Sequence, residues 1–201
     1  MSERTAVRER TRRTLLLAGI EVLSGTPAAP LGEVATRAGV ARSTLHRYFS
    51  DRKALIAAIS DFTAVEYEAA VARASVEDGT GLEAFRRLCL ELMESLDILA
   101  WWMGAGLTAT AQDGESEAAV AAGSDVTDET DEERLRELVA RGHDDGTIDP
   151  ALSAEWVESL LWSNLYACHH LQRSGSVTAF DVRSQALRGL LKAAAADPTR
   201  V

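Results

Sequence analysis

Leu31-Gly-Glu-Val-Ala-Thr-Arg-Ala-Gly-Val-Ala-Arg-Ser-Thr-Leu-His-Arg-Tyr-Phe49 reads as two short helices, about Leu31–Ala38 and Arg42–Phe49, joined by Gly39-Val40-Ala41. Leu31, Val34 and Ala35 fall on one helical face, and the small Ala35 lets a second helix pack closely. Gly39 can adopt the left-handed conformation that a sharp turn needs, while Val40 and Leu45 fill the angle between the helices. This is the layout of a helix-turn-helix. With the apolar positions assigned to packing, Arg42, Ser43, Thr44, His46, Arg47 and Tyr48 remain outward on the second helix. These side chains carry donors suited to phosphates and to base edges in a major groove.

The flanking sequence extends the motif. An N-terminal helix over about Arg4–Leu23 carries Leu15, Leu16, Ala18, Val22 and Leu23 and is halted by Gly25-Thr26-Pro27 and Pro30. A further helix opens after Ser50-Asp51 and reaches Ala74, with Leu55, Ile56, Ile59, Phe62 and Val65 at three- and four-residue steps. Its first turn adds Arg52 and Lys53 to the positive face. Arg4, Arg8, Arg10, Arg12 and Arg13 extend the same charge along the first helix.

The net charge of −10 over 201 residues argues against a nucleic-acid partner until it is divided along the chain. Residues 1–60 hold 10 Lys and Arg against 5 Asp and Glu, and residues 61–201 hold 11 against 26. A basic piece that can meet phosphates thus precedes an acidic body. Apolar residues at 46% exclude a disordered chain, and no stretch approaches the roughly 20 apolar residues of a membrane span. With no apolar segment after Met-Ser-Glu-Arg-Thr, a cytoplasmic location is expected. Cys89 and Cys168 are then expected to be buried thiols.

These residues resemble the TetR family of transcriptional regulators. The resemblance rests on Leu15-Leu16-Leu17-Ala18-Gly19 with Val22-Leu23, Val34-Ala35, Ala38-Gly39-Val40-Ala41, Thr44-Leu45-His46-Arg47-Tyr48-Phe49 and Lys53-Ala54-Leu55, covering about residues 8–60. Four positions depart from the family pattern. Ala41 stands where a capping Ser or Thr is common, Ser43 where Gly is common, and His46 and Tyr48 exchange the usual Tyr and His. The lost cap costs about 1 kcal/mol unless Ser43 replaces it. The resemblance implies an all-α protein, with a three-helix DNA-binding domain over residues 1–52 and a helical ligand-binding and dimerisation domain over 53–201. It also implies a homodimer on a palindromic double-stranded DNA operator, released by a small-molecule effector. Arg42, Ser43, Thr44, His46, Arg47, Tyr48 and Lys53 are the candidate DNA contacts.

The body reads as helices of about Leu82–Trp101, Thr130–His143, Ser153–Leu171 and Thr178–Ala195. The segment 104–125 has little pattern. Phe85, Cys89, Met93, Trp101, Trp102, Met103, Trp162, Tyr166 and His169 are candidate walls of a partly apolar effector pocket. The helix around Trp156–Leu171 is apolar on more than one side and calls for cover on both faces, by its own chain or by a second subunit, and Asn164 within it needs a hydrogen-bond partner if buried. His169-His170 with Cys168 and His143 lacks a metal-ligand spacing, and no catalytic constellation or cofactor loop is legible. No enzyme activity, metal or cofactor is expected. The alternative function is a helical ligand-binding or interaction protein that retains the motif without binding DNA.

Overall fold

The computed structural model describes residues 3–102 and 129–200. Over these residues the chain is helical, with extended backbone pairing at Ile148 and Ala195. The helices are α1 (Glu3–Gly25), α2 (Leu31–Arg37), α3 (Arg42–Tyr48), α4 (Arg52–Ala74), α5 (Gly81–Glu94), α6 (Leu96–Leu99), α7 (Glu129–Asp144), α8 (Ala154–Ser174) and α9 (Ala179–Ala194). Among the described residues no helix is long and apolar enough to cross a membrane. The weakly patterned 104–125 segment and Met103 lie outside the described residues.

The described residues form two compact units, one of residues 3–66 with 97–102 and the other of 67–96 with 129–200. In the first, Leu15, Leu16 and Leu23 of α1 pack with Val34 and Ala35 of α2, Leu45 of α3 and Leu55 and Ile59 of α4. Each fully buried Leu or Ile contributes about 1.5–3 kcal/mol relative to exposure. Pro30 precedes α2, where a missing amide hydrogen costs nothing. Gly39 closes α2 at φ 68°, the left-handed geometry that a residue with a side chain resists.

In the second unit, α5 begins with a reciprocal cap. Thr80 Oγ1 accepts from the Glu83 amide at 3.4 Å and the Glu83 carboxylate accepts from the Thr80 amide at 3.2 Å. Its buried face is Phe85, Leu88, Cys89, Leu92 and Met93. The start of α5 is also held by distant side chains, the Gly81 amide donating to Asp145 at 2.8 Å and the Leu82 amide to Thr147 Oγ1 at 3.1 Å. Ser153 and Thr178 cap α8 and α9, and Gly175 ends α8 at φ 67°.

One expected helix is two. The Leu82–Trp101 reading is interrupted because α5 ends at Glu94 and Ser95 turns the chain before α6, its amide donating to Leu92 at 3.1 Å. Leu92, Leu96 and Leu99 keep helical spacing across the break and are all buried, so the apolar pattern conceals it.

Candidate nucleic-acid interface

Helix α3 is oriented by what it buries. Leu45 is fully buried and Phe49, just past its end, is also in the core. Arg42, Ser43, His46 and Arg47 are thereby left exposed, with Thr44 and Tyr48 half-buried. Arg42 and Arg47 have no ion-pair partner among the described residues. Tyr48 packs its ring toward Phe49, with centroids 6.4 Å apart, which leaves less of it to reach a ligand. Ala41 occupies the N-cap position and no side chain caps α3; Ser43 does not take over that role. The Ala41 carbonyl instead accepts from the Thr44 amide at 2.8 Å.

Lys53 is exposed on the first turn of α4, beside Asp51. Asp51 caps that helix by accepting from the Ala54 amide at 2.8 Å. This amide, then the Ser50 hydroxyl, hold the Asp51 carboxyl below its ordinary value.

Arg52, grouped by sequence with the positive face, has a different task. Its guanidinium donates to the carbonyls of Ala29, at 2.7 Å, and Pro27, tying the α1–α2 connection to the start of α4. Substituting Arg52 by Ala leaves these part-buried carbonyls without their charged donor and is expected to cost about 2 kcal/mol, roughly 4–8 °C in melting temperature. Arg47→Ala, at an exposed side chain, is expected to stay within about 0.5 kcal/mol of the parent. Thermal denaturation of the two variants side by side checks the contrast.

Arg13 is also engaged, its guanidinium lying 5.0 Å from the Phe62 ring centroid and pairing with Glu66. Arg37 pairs with Glu21 at 2.5 Å. The exposed Arg8, Arg10, Arg42 and Arg47, with the half-buried Arg12, are the arginines that remain for phosphates among those of this unit whose side chains are described.

The candidate effector walls lie in both units. Trp101 and Trp102 join the first unit's core, and Trp101 Nε1 donates to Ser60 Oγ at 3.2 Å. In the second unit Phe85, Cys89 and Met93 are buried on α5, while His169 is half-buried on α8. Tyr166 is exposed and stacks on His170 with centroids 6.4 Å apart. Among the eight of these candidates that are described, Trp162 lines a cleft found in this unit, beside Tyr67, Leu88, Arg134 and Glu158. Tyr67 and Glu158 carried no motif and were not legible as pocket residues.

Burial pushes the Cys89 thiol well above its ordinary range and raises that of Cys168. Neither cysteine of the native protein is therefore expected to react with a water-soluble disulfide reagent at neutral pH, and both react after denaturation. A thiol titration with and without denaturant reads this directly. Among the described residues no cluster of three or more His, Cys, Asp or Glu is placed to hold a metal.

A tight turn between two short helices, the second anchored by a buried Leu45 and presenting an exposed polar and basic face, defines a helix-turn-helix DNA-binding domain. Residues 15–59 match the model of the bacterial regulatory proteins of the tetR family. The chain is 42% identical over 84 residues to the HTH-type transcriptional repressor LfrR of Mycolicibacterium smegmatis, a segment spanning 42% of this chain and 44% of that repressor. The crystal structure of the TetR-like regulator LfrR from Mycobacterium smegmatis superposes with a TM-score of 0.68 at 25% identity, covering 94% of this chain and 98% of that one. The same regulator in complex with proflavine gives 0.63 at 25% identity over 93% and 97% of the two chains. A TetR family regulator from Marinobacter aquaeolei shares the fold at 20% identity, with a TM-score of 0.63 over 95% of this chain and 98% of that one. Residues 15–59 thus carry the DNA-binding segment of the tetR family, and the chain shares the fold of TetR-like transcriptional regulators.

Proposed function

We infer that the protein is a homodimeric repressor that holds a near-palindromic DNA operator and releases it when a small molecule binds. The observation that carries this reading is the orientation of α3, with Leu45 locked in the core and Arg42, Ser43, His46 and Arg47 exposed together. Residues 1–52 would form the DNA-binding domain and residues 53–201 the effector-binding and dimerising one. Two copies related by a two-fold axis would place their α3 helices in major grooves about one helical turn, or a small multiple, apart.

Support for the dimer comes from α8 and α9. Trp156, Leu160, Ala167 and Leu171 recur along one side of α8; Trp156 is 56% exposed, Leu171 40%, and Phe180 of α9 79%. Large apolar side chains left this open call for a partner surface. Asn164 lies beside that stripe with its side-chain oxygen buried and unbonded, and an amide from a second copy would satisfy it.

Support for an effector comes from the proflavine complex of the LfrR regulator. Helix α4 supplies residues to both units, so an effector that prefers one arrangement of its C-terminal half shifts the DNA-binding population by its differential affinity.

Retention of genomic fragments on the purified protein across a salt series tests the reading. A few fragments that share a palindrome, with affinity falling steeply as salt rises, are the expected result. Absence of selective retention at every salt concentration would favour a helical binding protein that keeps the motif without using it.

A further inference from the structure

We propose that the cleft between the Tyr67–Trp162 pair and Glu158 is the recognition site for a planar aromatic monocation, which enters by parting the two rings. The proposal rests on the effector-responsive reading above and gives it a place and a ligand chemistry. Tyr67 of α4 and Trp162 of α8 stack with centroids 6.1 Å apart and planes inclined by 25°. Val71, Leu88 and Leu161 continue the apolar wall.

Glu158 lies one turn before Trp162 on α8 and lines the same cleft. It is half-buried and has no hydrogen bond or ion pair among the described residues. A carboxylate in that setting loses part of its hydration without gaining a partner. The other charge on the wall, Arg134, is matched by Glu68, with Nη1 3.0 Å from the carboxylate oxygen. Among the described residues of this lining, Glu158 is thus the charge without an ion-pair partner.

Charge and shape point to the same ligand. Ring faces attract cations and offer flat contact, a carboxylate adds a directional acceptor, and a planar cation satisfies both. An anion would meet Glu158 unfavourably, and a neutral ring would leave it unpaired. The free volume of the cleft is about 20 Å³, room for a water and little more. A ligand of several rings must therefore move Trp162 away from Tyr67, and it binds the parted arrangement selectively. Because Tyr67 belongs to α4, occupancy biases the helix through which the response to DNA is proposed to run.

The test uses the full-length protein without DNA and measures binding of 9-aminoacridine, a planar cation at neutral pH, and 9-anthracenecarboxylate, a planar anion, by dye polarisation and tryptophan quenching. The expected result is saturable binding of the cation at least about tenfold tighter than the anion. Glu158→Gln should weaken the cation by about tenfold and narrow the gap between the dyes, and Trp162→Leu should weaken both. Absence of cation binding, equal affinity for the two dyes, or unchanged cation affinity in Glu158→Gln would overturn the site. Fragment retention on the same preparations separates the two readings. Preparations that hold DNA but fail the dye tests refute the cleft alone; preparations that pass the dye tests but hold no DNA refute the repressor and leave the cleft standing. Glu158→Gln lies on a half-exposed side chain, so the test survives even where Trp162→Leu fails to fold.

Discussion

Alanine at Arg42 and Arg47 together is expected to weaken the retention of operator fragments by about 30- to 1000-fold, roughly 2–4 kcal/mol. An arginine that reads a base edge is worth about 1–3 kcal/mol, and one that meets a phosphate also carries about one unit of the salt slope. Titrating the parent and the variant on the same fragments at several salt concentrations therefore separates the roles: a base reader changes which fragments are kept, and a phosphate contact flattens the slope. Both side chains are exposed and no ion pair within the described residues holds them, so the melting temperature should stay close to that of the parent. An unchanged affinity and slope would mean that α3 does not enter the groove.

Gly81→Ala is expected to produce the largest loss of stability of any single methyl addition considered. A Cβ at Gly81 would lie 2.3 Å from Gly142 Cα, 2.4 Å from Gly142 N and 2.8 Å from the Leu138 carbonyl oxygen. All three are backbone atoms of α7, so relief requires the start of α5 and α7 to separate. Separation would also stretch the hydrogen bonds from Gly81 and Leu82 to Asp145 and Thr147. Overpacking against side chains typically costs about 1–3 kcal/mol; against backbone it should reach at least about 3 kcal/mol, or roughly 6–12 °C in melting temperature. Gly32→Ala provides the contrast. It adds a methyl within α2 where nothing lies within 4 Å, and the gain in helix propensity should leave stability equal or slightly raised. Thermal scans of both variants check the pair; a Gly81→Ala protein that melts with the parent would refute the close crossing.

The helix-turn-helix was legible because its information is local. Val34, Ala35, Gly39, Leu45 and Phe49 lie within sixteen residues, and their spacing alone states which face of each short helix is buried. The outward polar set follows as the remainder, and the charge division between residues 1–60 and 61–201 points the same way. The caps of α5, α8 and α9 and the Gly-Pro break after α1 are equally local, which is why most helices begin and end within a few residues of their expected bounds.

What the sequence determined by itself was the all-helical class, the helix-turn-helix with the outward residues of its second helix, and through them the resemblance to the TetR family. The tertiary structure alone decided which distant groups meet. An arginine declares its charge but not its acceptor, so Arg52 reads as a phosphate contact until the fold brings it to carbonyls 23 and 25 residues away. The spacing of Leu92, Leu96 and Leu99 satisfies a helix whether or not Ser95 interrupts it. Gly81 marks a turn in sequence, and only the approach of Gly142 makes it irreplaceable. Tyr67 and Trp162 are unremarkable until α4 and α8 stack them beside Glu158. Periodicity specifies which side of an element is apolar; the partner across that side is set by packing among segments far apart in the chain, and the body of this protein, unlike its recognition helix, depends on that second kind of information.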